Sequence, residues 1–112
     1  MSIYKANDTG AGAIAASLTV PVGQSYELVS VSLKLNAAAS ASQDYTITLN
    51  ANAGADYDVL LYSSDLSVTG ATSLLWQPDE PLYLEGGDAV DVAYQNSDLR
   101  TYGVQITARR VG

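Results

Sequence analysis

Apolar and polar residues alternate with period two along much of the chain. Val29, Val31, Leu33 and Leu35 fall on one side of an extended segment, and Ser30, Ser32 and Lys34 on the other. Successive side chains of a strand point to opposite faces, so the pattern predicts a strand with one buried and one solvated face. Tyr45, Ile47 and Leu49, alternating with Thr46, Thr48 and Asn50, predict another. So do Val90, Val92 and Tyr94 around Asp91 and Ala93, and Tyr102, Val104, Ile106 and Ala108 around Gly103, Gln105, Thr107 and Arg109. Weaker strands fall at 13–20, 59–62, 73–77 and 82–84. No window sustains a helical spacing. The alanine-rich stretch 37–42 is too short to hold a helix without packing, and reads as a loop.

Turn residues punctuate this pattern. Pro21-Val22-Gly23-Gln24, Asn52-Ala53-Gly54-Ala55-Asp56, Pro78-Asp79-Glu80-Pro81 and Glu85-Gly86-Gly87-Asp88 each separate two strands. Two prolines cannot donate to a central ladder, and the paired glycines offer positive φ for a tight hairpin. Many short strands with frequent turns predict an all-β fold: an antiparallel β-sandwich of about eight strands, jelly-roll-like. Residues 13–112 make one such domain. Residues 1–12, small and polar, read as a flexible N-terminal arm that orders only on a partner.

Composition narrows the chemistry. The 112 residues hold 12 Asp plus Glu against 5 Lys plus Arg, a formal charge of −7, with no Cys and no His. Without Cys or His there is no disulfide framework, no Ser–His or Cys–His pair and no ordinary zinc ligand set. The acidic balance speaks against direct nucleic-acid binding, which needs a cationic face. Charged residues are 15% of the chain, below the roughly 25% of an average globular protein. A weakly charged surface on a chain with eight Tyr hints at assembly, because interface centres are poor in charge and rich in aromatics. No apolar run approaches the ~20 residues of a membrane span. The N-terminal residues do not look like an export signal, so synthesis and use without export are expected.

Three groups of residues invite a functional reading. Nine of the carboxylates lie between Asp56 and Asp98, with no Lys or Arg among them. Hard cations want several oxygen ligands, but Asp56-Tyr57-Asp58 lacks the continuation of a calcium loop, and turn-building Asp on a solvated face is the preferred account. A glycosidase pair would need a cleft that nothing here signals. Trp76, with exposed Tyr, offers a sugar-stacking platform, although Tyr45, Tyr94 and Tyr102 stand in phase with core positions. Arg100, Arg109 and Arg110 put three of the five cations near the C-terminus, suited to an ionic contact with a sister subunit or an acidic partner. No catalytic motif, metal site or cofactor-binding motif is found, and the expectation is a non-enzyme without a cofactor.

Five segments carry a resemblance: residues 26–33, 44–49 and 57–62, the stretch Pro81-Leu82-Tyr83-Leu84-Glu85-Gly86-Gly87-Asp88-Ala89-Val90-Asp91-Val92, and residues 100–104. Together they resemble the small auxiliary capsid proteins of tailed bacteriophages, known as decoration or cement proteins, over roughly 20–108. The resemblance implies a jelly-roll-like structural virion protein, made in the host cytoplasm. It would bind the outer capsid surface, clamp neighbouring major capsid subunits, and act as a trimer or dimer, without catalytic residues. The contact candidates are Ser2, Ile3, Tyr4, Lys5, Arg109 and Arg110. The alternative is a glycan-binding sandwich module of a tail fibre or spike, reading sugars through Trp76.

Overall fold

A computed structural model describes residues 2–112. Nine strands form among them: β1 (Ile3–Gly10), β2 (Ile14–Thr19), β3 (Ser25–Leu35), β4 (Asp44–Asn50), β5 (Val59–Asp65), β6 (Ser73–Trp76), β7 (Leu82–Glu85), β8 (Ala89–Tyr94) and β9 (Tyr102–Arg110). All pairings are antiparallel. One sheet runs β1-β9-β3, with β6 and β7 both on the far side of β3; the other runs β2-β8-β4-β5. β6 pairs with Val31–Lys34 and β7 with Ser25–Leu28, so the two are halves of one edge strand broken at 77–81. Counted that way the sandwich has eight strand positions, wound in the jelly-roll order.

The break has a local cause on each side. Pro78 and Pro81 have no N–H to give to a ladder. Opposite them β3 is irregular: Leu28 pairs with Ala108 but Ser30 with Thr107, leaving Val29 as an extra residue. A bulge reverses the inward phase of the strand beyond it. Tyr26 and Leu28 therefore point inward before it, and Val31, Leu33 and Leu35 after it. The expected buried row is corrected at one position: Leu28 fills the core and Val29 is only half-buried.

The N-terminal segment also departs from expectation. Residues 3–10, read as an arm, are β1, paired with β9 along its whole length. Their inward positions are Tyr4, Ala6, Asp8 and Gly10, which do not spell an apolar stripe. Each has a specific reason to face in. Tyr4 stacks on Tyr26 with ring centroids 4.9 Å apart, and the β9 residue opposite Tyr4 is the small, buried Ala108. Asp8 Oδ2 accepts the Tyr102 hydroxyl at 2.9 Å. At Gly10 a Cβ would lie 3.2 Å from the Tyr102 Oη, so the missing side chain makes room for that ring.

Between the sheets lies a continuous core that includes Ile14, Tyr45, Ile47, Leu84, Val90, Val92 and Ile106. Tyr45 sits at its centre, edge-on to Tyr62 and Tyr94. One helical turn, α1 (Leu66–Thr69), links β5 to β6. The Asp65 carboxylate caps it by accepting Ser67 N at 3.0 Å, Gly70 ends it at φ 67°, and its buried Leu66 plugs the core. The stretch 37–42 is a loop.

Candidate docking surface

The strand directions sort the connections into two ends. One end collects the β1–β2, β3–β4, β5–β6 and β8–β9 connections. The other collects the β2–β3, β4–β5 and β7–β8 connections together with both chain termini. This second group is called the terminal end below.

The terminal end is knit by backbone and carboxylate. Gly87 N donates to Val20 O at 2.8 Å, and Val20 N to Asp88 O at 2.9 Å. Asp88 then ties two more segments, its oxygens accepting Asn52 N and Glu85 N, each at 2.9 Å. The tight turn works because Gly87 holds φ 91° and Gly86 lies against the Val22 backbone, where a Cβ would stand 2.9 Å from the Val22 Cα. The termini join the same end: Arg110 N donates to Ser2 O, and Val111 N to Ser25 O.

That pairing brings together contact candidates drawn separately from the two ends of the sequence. Ile3 stands directly across from Arg109, Arg109 from Glu27, and Glu27 from Tyr83, a row crossing four strands on the outer face of the five-stranded sheet. Ser2, Ile3, Lys5 and Arg110 are exposed. Tyr4 is not part of this surface, because its ring is spent on Tyr26. The Arg109 guanidinium is engaged within the chain, with Nε 3.1 Å from Glu27 Oε1 and Nη2 closer still. Arg110 donates to Gly112 O at 3.1 Å. Arg100 lies at the opposite end, donating to Ala38 O, so the three arginines form no single patch.

Exposed apolar side chains are distributed unevenly. Of ten large exposed ones among the described residues, seven sit at or beside the terminal end: Ile3, Val22, Tyr57, Val59, Leu60, Tyr83 and Val111. Val22 is 92% exposed although it lies in a turn between Pro21 and Gly23. In the sequence Val22 reads only as part of a turn and Tyr57 only as one of several aromatics for a sugar-stacking platform; an aliphatic or aromatic residue inside an otherwise polar turn is the signal that marks both as exposed.

The remaining candidates fall elsewhere. Trp76 occupies an inward position of β6, half-buried against the core, its ring 6.3 Å from that of Tyr62. It closes the open side of the sandwich rather than offering a bare ring to solvent. Several carboxylates of the acidic region build loops. Asp98 accepts Ser40 N, Ala41 N and the Ser40 hydroxyl, and these donors hold its carboxyl below the usual range. Asp65 is lowered first by the Ser42 hydroxyl and then by the Ser67 hydroxyl. Asp58 accepts Ala51 N at 2.8 Å. The opposite end is equally well fastened: Asn96, 1% exposed and at φ 52°, donates to Gly12 O and Arg100 O and accepts from Arg100 N.

No family model and no curated protein matches the chain. Among solved structures it is similar to Aeromonas hydrophila PliG, a periplasmic lysozyme inhibitor of g-type lysozyme. The identity is 13% and the TM-score 0.38, over 96% of this chain and 85% of that one. A TM-score at that level does not place two proteins in one fold.

Proposed function

We propose that this protein is an auxiliary virion protein of a tailed bacteriophage, which docks its terminal end on the outer capsid surface and holds neighbouring major capsid subunits together. The observation that carries the reading is the gathering of both termini and most of the exposed apolar side chains at one fastened end of a rigid sandwich. Such a surface has the makings of an adhesive patch: apolar anchors on a preordered backbone, with a polar rim. The resemblance of the five segments to decoration proteins supplies the partner. A ligand that binds only the assembled lattice stabilises that lattice by mass action, and many copies of an interface burying about 800 Å² per partner would suffice.

The test mixes the purified protein with expanded, undecorated heads. Wild type is expected to cosediment with the heads and to raise the temperature at which they open. A Val22→Asp, Tyr57→Asp double variant is expected to melt like wild type and to stay in the supernatant. Wild type that leaves the heads bare, or a double variant that binds as wild type does, would remove the reading.

A further inference from the structure

A sandwich leaves four sheet edges, here β1, β5, β2 and the broken β6–β7 strand. An open edge is a row of unpaired N–H and C=O groups, and proteins usually guard it. The β6–β7 edge is interrupted by Pro78 and Pro81. The β5 edge is kinked, because Ile47 pairs with Tyr62 but Thr48 with Leu60, leaving Leu61 extra. On β1, Arg110 N donates to Ser2 O, so alternate residues from Ser2 face β9. The outward row of β1, Ile3, Lys5, Asn7 and Thr9, then carries the exposed charge of Lys5, a common guard of an edge strand.

β2 has no such guard. Its six residues contain no charge and no proline, and they pair with β8 without a register shift. Val20 exchanges backbone bonds with the β8 side, accepting from Gly87 N and donating to Asp88 O. The alternation turns Leu18, Ala16 and Ile14 toward β8, and leaves the N–H and C=O of Ala15, Ser17 and Thr19 pointing off the edge. The side chains of those three are small, uncharged and exposed.

We propose that β2 pairs antiparallel with β2 of a second copy of this chain, about a two-fold axis at Ser17, so that the four-stranded sheets of the two copies run on as one. The edge is complementary to itself. The axis sets Ser17 opposite Ser17 and Ala15 opposite Thr19, with no like charges facing. The nearest carboxylate, Asp91, is one strand inward and is tied by the Ser17 hydroxyl at 2.7 Å and by Asn50 Nδ2 at 3.3 Å. Three inter-strand spacings would separate the two Asp91 strands by roughly 14 Å, beyond the ~8 Å screening length of physiological salt. The Asp91 pair therefore opposes this contact only weakly.

The experiment is sedimentation equilibrium of the purified chain across the micromolar range, with Ala15→Pro and Thr19→Pro beside wild type. Proline is tolerated on an edge strand when its missing N–H faced solvent. Both variants are thus expected to keep the β circular-dichroism spectrum while losing a ladder donor from each copy. Wild type is expected at twice 11.7 kDa and both variants at 11.7 kDa. A wild type that stays monomeric, as it would if β2 served an unrelated extended peptide, overturns the proposal. So does any assembly that survives both substitutions. Should a variant fail to fold, amide exchange on wild type decides. The Ala15, Ser17 and Thr19 amides are expected to slow as concentration rises, and free exchange in an associated protein would refute the pairing. No capsid enters this experiment, so its outcome is separate from that of the lattice reading.

Discussion

Deleting residues 2–8 separates an arm from a strand. An arm can be removed without touching the sandwich. A strand paired with β9 from Ile3 to Gly10 cannot. The deletion removes the Tyr4–Tyr26 stack, worth about 0.5–1.5 kcal/mol beyond burial. It removes the bond from the Tyr102 hydroxyl to Asp8, and bonds to a charged partner contribute about 1.5–3 kcal/mol. It uncovers the core beneath Tyr4 and Ala6, another ~2 kcal/mol of apolar burial. The combined loss is at least about 4 kcal/mol. At about 0.05–0.15 kcal/mol per residue, a chain of 112 residues has a total stability of about 6–17 kcal/mol. Thermal melts followed by circular dichroism should therefore show the truncated chain melting about 15 °C or more below the full chain, if it folds at all. Tyr4→Ala should account for a visible part of the drop. A truncated chain melting within a few degrees of the full one would refute the strand and restore the arm. The deletion is for the same reason a poor probe of attachment, since it breaks the fold; outward substitutions at Val22 and Tyr57 are the proper ones.

Three further outcomes follow from particular geometry. The bulge predicts that Leu28→Ser costs about 2–4 kcal/mol in urea unfolding while Val29→Ser costs under about 1, and equal costs would put the bulge elsewhere. Gly87→Ala forces a side chain onto φ 91° and into Asn52, and should destabilise by about 1–3 kcal/mol; an unchanged urea midpoint would show that the turn relaxes freely. Asp65 and Asp98 have folded pKa values below the ordinary 3.8, so their contribution to stability is full above that value and is lost as pH falls through the lowered ones. The melting temperature should accordingly fall as pH drops below about 4, and the fall should be smaller in Asp98→Asn.

What the sequence discloses depends on which side of a strand carries the signal. β4, β8 and β9 are legible because their inward rows are aliphatic or Tyr and their outward rows are mostly polar or small. Tyr45, Ile47, Val90, Val92, Tyr94, Val104, Ile106 and Ala108 are all buried. β1 is hidden because its inward row is chosen to fit neighbours distant in sequence: Tyr4 for Tyr26, Asp8 and Gly10 for Tyr102. The β3 bulge is hidden for a related reason. Leu28 and Val29 are adjacent and both apolar, and only the pairing with β9 decides which is extra. The candidate docking surface is half legible. Ser2, Ile3 and Lys5 at one terminus and Arg109 and Arg110 at the other were marked as contacts, but their meeting is a product of long-range pairing. The ion pair that occupies Arg109 with Glu27 could not be read from spacing either. Trp76 shows the converse: an aromatic that suggests a ligand in the sequence serves in the fold to close the sandwich beside Tyr62.

The two proposed surfaces constrain each other. Antiparallel pairing at the β2 edge uses an axis perpendicular to the sheets. Both copies therefore turn the outer face of the five-stranded sheet to the same side, while their terminal ends point to opposite tips. The row Ile3–Arg109–Glu27–Tyr83 lies on that shared side and next to that tip in each copy. One protomer is 42 Å along its longest axis, and a pair would carry its two rows near opposite tips. A pair of this shape is a staple whose second attachment is intramolecular, and its effective concentration is set by geometry rather than by bulk protein. Monomers carrying the same terminal end have only the single-site affinity. Ala15→Pro should therefore weaken retention on heads by tenfold or more while leaving Val22, Tyr57 and the terminal end untouched. Equal retention of variant and wild type would mean that each copy grips the lattice alone, and that pairing at β2 contributes nothing to the clamp.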